Sequence, residues 1–142
     1  MDSRVVYTEE IDDLEAAVQE LLDQLRDFEF HKNSLAVLFT EEETEYTKLY
    51  EILREHWDFP IIGCTAMAML TGREGYCAMG ISVLILSADD CSFSVGMTGE
   101  LDIDNYREEI AETYRKLQNG HTSDIRLVIS YGGMVMNERD AA

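Results

Sequence analysis

Leu35-Ala36-Val37-Leu38-Phe39 is an unbroken apolar run held between Ser34 and Thr40. A strand with one wet face alternates polar and apolar residues. This one does not, so it reads as a strand buried on both faces. Upstream of it, Ile11, Leu14, Val18, Leu21, Leu22 and Leu25 recur at spacings of three and four, with Asp12, Asp13, Glu15, Glu20 and Asp23 between them. That is the apolar stripe and charged face of an amphipathic helix. Thr8 is the expected cap, with Glu9 and Glu10 in the first turn, where carboxylates suit the helix dipole. Residues 4–7 before it are a short β-prone start. Downstream, Glu41-Glu42-Glu43 leads into a second helix starting near Thr44, with Tyr46, Leu49, Tyr50, Leu53 and Trp57 on one face. Pro60 closes this unit, because the residue before a proline is pushed toward extended geometry. Ile61-Ile62-Gly63-Cys64-Thr65 then reads as the next strand.

The rest of the chain extends the alternation. Thr71-Gly72-Arg73-Glu74-Gly75 is a turn, and residues 76–86 form the longest strand candidate. Asp89-Asp90 marks a reversal. Residues 91–98 alternate, with Phe93, Val95 and Met97 on one side, which predicts an antiparallel hairpin with the preceding strand. Asp104 is the expected cap of a third helix with Tyr106, Ile110, Ala111, Tyr114 and Leu117 inward, and Gly120 stands at its C-terminal end. Residues 125–131 read as a last strand, followed by Gly132-Gly133. The order β-α-β-α-β, hairpin, α-β predicts a single α/β domain over 1–142. Its sheet is expected to be mixed and mostly parallel, with helices packed on it and a β-hairpin. A final strand followed by about ten residues reads either as a real terminus or as a cut inside a larger architecture.

The chain has 142 residues, 46% of them hydrophobic, enough for one self-sufficient core. Its 29 acidic residues against 11 basic ones give a formal net charge of -18. Such a surface repels nucleic acids and anionic membranes at long range, and its first meaning is solubility. No apolar run nears the ~20 residues of a membrane span. The Met-Asp-Ser-Arg start has no basic segment leading into an apolar one. Cys64, Cys77 and Cys91 form no CxxC and no Cys/His cluster. A cytoplasmic setting with free thiols, and no cofactor, is the expectation.

The segment from Gly63 to Gly75 carries the chemistry. In open α/β sheets ligands bind at the carboxyl ends of parallel strands. Gly63 permits close backbone approach, Cys64 offers a thiol and Thr65 a hydroxyl, while Ala66 and Ala68 leave room. The competing reading makes Gly63 and Cys64 packing residues. A nucleophilic Cys64 needs a base, and His31, His56 and His121 stand in no motif around it. Glu41, Glu42, Glu43 and Glu45 match no calcium loop and read as a solvated acidic turn. Met67, Met69, Met79, Met97, Met134 and Met136 read as core filler. No dinucleotide, P-loop or nucleophile-elbow motif is present.

At Pro60-Ile61-Ile62-Gly63-Cys64-Thr65 the chain resembles the N-terminal part of the FIST sensory domain. The family shows an apolar strand, a helix, a Pro-hydrophobic-Gly-Cys-Ser/Thr strand end, a glycine turn and a long apolar strand. Residues 35–39, the helix from Tyr46 to Trp57, and Ala78-Met79-Gly80-Ile81-Ser82-Val83-Leu84-Ile85-Leu86 follow that order. The resemblance runs over residues 1–131 and implies a signal-input domain for small ligands such as amino acids. Family members carry a further C-terminal half, and follow Gly-Cys-Ser/Thr with Gly-Glu. Here those two positions are Ala68 and Met69, so an ammonium-bearing ligand finds no carboxylate there.

Three functions follow as expectations. The first is a small-ligand sensing module for an amino-acid-like molecule, with its site at Gly63, Cys64, Thr65, Thr71 and Gly72, read by a signalling partner domain. The second is an interaction or scaffold domain that forms a homodimer through an uncovered sheet edge, or completes a larger fold. The third is a cysteine enzyme using Cys64. A non-enzymatic module is favoured.

Overall fold

The apolar run at residues 35–39 is the inside of a strand, β2 (Asn33–Thr40), with a strand hydrogen-bonded on each side. The computed structural model describes residues 1–72, 75–77, 79–119 and 127–131. The chain divides into two units, residues 1–93 and 94–142.

The first unit starts with β1 (Asp2–Thr8), α1 (Leu14–Gln24), β2, α2 (Tyr46–His56) and β3 (Ile61–Thr65). A two-stranded hairpin of β4 (Met69–Thr71) and β5 (Gly75–Cys77) follows, and then β6 (Ile81–Ala88). The main sheet has the order β1-β6-β2-β3. β2 and β3 are parallel neighbours joined through α2, while β6 runs antiparallel to both β1 and β2. The α/β class, the mixed sheet, the packed helices and a hairpin are all present. The expectation of a mostly parallel sheet is corrected. β1, β2 and β3 do point the same way, but the one reversed strand sits between two of them, so two of three pairings are antiparallel. The unit is a split βαβ, with β6 inserted between β1 and β2. Apolar content marks a strand as central but does not encode its direction. With a hairpin rather than a helix between β3 and β6, no crossover forces β6 parallel.

The hairpin itself lies earlier than expected. It is β4–β5, with Leu70 opposite Tyr76, and residues 91–98 form no strand. The candidate strand 76–86 splits into β5 and β6 at Gly80. Gly80 has φ +119, and a Cβ there would lie 2.3 Å from the Thr8 carbonyl oxygen. Of the expected last strand, residues 127–131 are not in a strand, and 125–126 lie outside the described residues, as do Gly120 and Gly132-Gly133.

α1 and α2 lay their stripes on one face of the sheet. Leu14, Ala17, Val18, Leu21 and Leu25 join Leu49, Leu53 and Trp57 over Val6, Ala36, Leu38, Ile81, Val83 and Ile85. Each fully buried Leu or Ile contributes ~1.5–3 kcal/mol relative to exposure. α1 starts later than expected. Thr8 is the last residue of β1, paired with Ile81, and Asp13 caps the helix by accepting from the Ala16 N–H at 3.0 Å. The exposed flank of β1 is partly closed by Gln24, whose amide accepts from Tyr7 N–H at 3.2 Å and donates to Tyr7 C=O at 2.8 Å. That blunts an edge strand.

The second unit contains α3 (Tyr106–Gln118). Its start is fixed by an Asp102–Asn105 turn rather than by Asp104. Asp102 Oδ1 accepts from the N–H groups of Asp104 and Asn105, and Asn105 Oδ1 accepts from Asp102 N–H, each at 2.8 Å. No residue of α3 is buried.

One polar clamp ties the first unit together. The His31 ring nitrogens face Asp2 Oδ2 at 2.6 Å and Asp89 Oδ2 at 3.0 Å, linking the start of β1 to the end of β6. Two carboxylates on one imidazole favour the doubly protonated ring. The hydrogen bond to Asp2, with Asp89 assisting, raises the His31 pKa above 6.5. Asp2 is lowered below 3.8 by its hydrogen bond with His31, and Asp89 is lowered by the Lys32 N–H. The His31 contribution is therefore full below pH 6.5 and fades as pH rises through the raised folded value. The Asp contribution is full above pH 3.8 and fades as pH falls through the depressed folded values. The stability lost on His31→Asn, followed by urea unfolding, is expected to be greatest between pH 3.8 and 6.5 and to shrink on both sides. A loss that does not vary with pH would show that the clamp is not ionic.

Candidate functional site

The parallel pair β2–β3 has one carboxyl end, where Phe39 stands beside Cys64 and Thr40 beside Thr65. The Ala66 N–H donates to the Thr40 C=O at 2.8 Å, continuing the ladder one residue past β3. α2 begins just beyond β2, so its N-terminus opens at this same end. Glu45 precedes it without making a side-chain cap. Thr44, 5% exposed, has a buried hydroxyl with no hydrogen-bond partner among the described residues. A buried hydroxyl left unpaired costs ~1–3 kcal/mol, so it calls for an explanation.

Gly63, Cys64 and Thr65 are consecutive on β3. Gly63 is there for packing: a Cβ on it would sit 2.0 Å from the Leu38 carbonyl oxygen of β2. Cys64 is half-buried, and burial pushes its thiol pKa up from the ordinary value. A thiol that holds its proton is a poor nucleophile at neutral pH. His31 and His56 lie before β2 and at the end of α2, hence at the amino ends of the strands, away from Cys64. His121 lies outside the described residues. Thr65 is exposed. Thr71 ends β4, and Gly72 lies in the exposed turn of the hairpin, with open space around it. The strand places the first three together, while the hairpin carries the other two.

Glu42, Glu43 and Glu45 are exposed in the turn before α2. Among the described residues no three His, Cys, Asp or Glu side chains are grouped to hold a metal ion. Of the methionines read as core filler, Met69 is buried, whereas Met67 is 96% and Met97 92% exposed. Met134 and Met136 lie outside the described residues. No described helix is long and apolar enough to cross a membrane.

A cluster missed by sequence reasoning lies at the other end of the sheet. Phe28 and Phe30 precede β2, and Trp57 and Phe59 precede β3. Phe30 stacks on Phe59 at 5.6 Å, and Phe59 on Trp57 at 5.5 Å. The available signal was two aromatic pairs of spacing i, i+2, each placed just ahead of a strand of one parallel pair.

In the comparison with known families, the FIST N domain model aligns to residues 34–141, about three-quarters of the chain. β1 and α1 lie before the matched residues. No curated protein and no solved structure matches the chain.

Proposed function

We propose a signal-input role for this chain, which belongs to the FIST N domain family. The family is one of sensory domains in signal transduction and not a family of enzymes, and that membership carries the reading. Its finer content is a cytoplasmic domain that binds a small amino-acid-like ligand and passes the change to a signalling partner domain. The ligand site is read at the carboxyl end of β2–β3, around Gly63, Cys64 and Thr65, with Thr71 and Gly72 of the hairpin as further contacts. Two observations support that end over the other. Among the described residues Thr44 has an unpaired buried hydroxyl there, and the α2 N-terminus has no side-chain cap. Free N–H groups at a helix start suit a ligand carboxylate. Glu41 to Glu45 offer charge for an ammonium group, in place of the carboxylate missing at Met69.

A thermal-shift screen of the twenty amino acids on the full chain tests this. A ligand present at 100 times its Kd is expected to add ~2.7 kcal/mol of stability, and to slow iodoacetamide labelling of Cys64. A flat screen, with labelling of Cys64 unchanged by every amino acid, would overturn the ligand assignment.

The second reading is an interaction or scaffold domain, and one observation favours it. Leu70 and Tyr76, paired across the hairpin, are 83% and 73% exposed. Large apolar side chains placed together in water suit a protein partner or a second copy. Light scattering on the purified chain separates the two: a dimer that dissociates on Leu70→Glu supports this reading, and a monomer removes the homodimer.

A further inference from the structure

At the amino ends of β2 and β3 lies a cleft of about 430 Å³, within the range of small-molecule sites. Because Ala36 is in register with Ile61, the residues just before each strand arrive side by side. Phe30, Trp57 and Phe59 form the aromatic lining. Trp57 is 4% exposed and acts as the floor, whereas Phe30 is 40% exposed and leaves ring surface open.

The polar lining divides by what is already used. Both nitrogens of His31 face carboxylates, and the Ser34 hydroxyl pairs with Ser87 at 2.9 Å. Lys32, His56 and Asp58 also line the cleft, and their side chains make no hydrogen bond or ion pair among the described residues. Arg54 stands close by, donating to the Phe59 C=O at 2.9 Å. In a chain of net charge -18, this cleft sets Lys32 and the imidazole of His56, with Arg54 close by, next to open aromatic surface.

We propose that this cleft binds a small aromatic monocarboxylate, with its flat ring against Phe30 and Phe59 and its carboxylate toward Lys32 and His56. Stacking and a charge-assisted hydrogen bond supply the two halves of recognition. Asp58 and the carbonyl end of α2 oppose a second negative charge, so a dianion such as a phosphate monoester is disfavoured. The site stands apart from the strand-end site around Cys64 and does not depend on it.

The chain has one tryptophan, Trp57, so its fluorescence reports on the cleft directly. Phenylacetate titrated into the full chain is expected to change the emission saturably, with half-saturation at about 1 mM or below. Phenylacetamide, which keeps the ring without the charge, is expected to bind about tenfold more weakly, and acetate likewise. Lys32→Gln, at an exposed position, is expected to weaken phenylacetate about tenfold while leaving the urea midpoint unchanged. Saturation-transfer NMR on the ligand gives a second readout if the emission does not respond. No saturable binding up to ~20 mM by either method overturns the proposal. So does equal binding of acid and amide, or an affinity unmoved by Lys32→Gln.

Discussion

Gly63→Ala is expected to lower the unfolding free energy by about 3 kcal/mol, at the upper end of the range for overpacking. The added methyl would lie 2.0 Å from the Leu38 oxygen, 2.7 Å from its carbonyl carbon and 2.8 Å from its Cβ. These atoms belong to β2, which is hydrogen-bonded on both sides, so no side chain can rotate away to make room. Either β3 shifts outward from β2 or the ladder between Leu38 and Thr65 loosens. Gly72→Ala is the control: a Cβ there meets nothing within 4 Å, and an effect within about 0.5 kcal/mol is expected. Urea unfolding of both variants decides the matter. Equal midpoints would show that β2 and β3 do not need this close approach.

Leu53→Ala is expected to cost about 2–5 kcal/mol. Leu53 is fully buried in the cluster that α1 and α2 share over the sheet. The loss combines the transfer of the removed atoms with the cavity they leave, because a core packed from two helices and four strands relaxes only in part. A domain stability of ~5–15 kcal/mol makes this a large fraction of the total. Tyr50→Ala, three residues earlier on α2 and 47% exposed, is expected to cost less than about 1 kcal/mol. If the two variants unfold at the same urea concentration, the inward face of α2 is wrongly assigned.

The features carried by periodicity were legible. Leu14, Val18, Leu21 and Leu25 are buried as their spacing requires, as are Leu49, Leu53 and Trp57. The unbroken run at residues 35–39 is central in the sheet, but α1 and α2 cover only its Ala36 and Leu38 face, and Leu35 and Phe39 on the other face are half-buried. Strand direction was not legible, since the apolar content of β6 is the same whichever way it runs. Residues 91–98 satisfy the strand period yet are not in a strand, because alternation is a local property and says nothing of a ladder. Thr8 and Asp13 are both competent caps, and the choice was made by β1, whose pairing with Ile81 claims Thr8. At the candidate site, Gly63 was legible as a place of close approach, but the sequence did not say that the approaching group is Leu38. The aromatic cleft was hidden because its two halves are 27 residues apart, from Phe30 to Trp57. They meet only once the parallel register of β2 and β3 is known.

The position of β6 has a consequence for how the chain is made. It is the last strand of its unit to be synthesised, and it occupies the interior of the sheet. Between the emergence of Thr40 and of Ala88 the ribosome spends about 2–10 s. Through that interval β1 and β2 each lack the neighbour that will join them. The βαβ piece from β2 to β3 can form early, but β1 has no strand to pair with until β6 arrives. Two open strands on a nascent chain invite pairing with other chains. The acidic face of α1, with Glu15, Glu20 and Asp23, and the Glu41-Glu42-Glu43 turn ahead of α2 keep such chains apart by repulsion during that wait, so the charge protects the half-made protein before it solubilises the finished one.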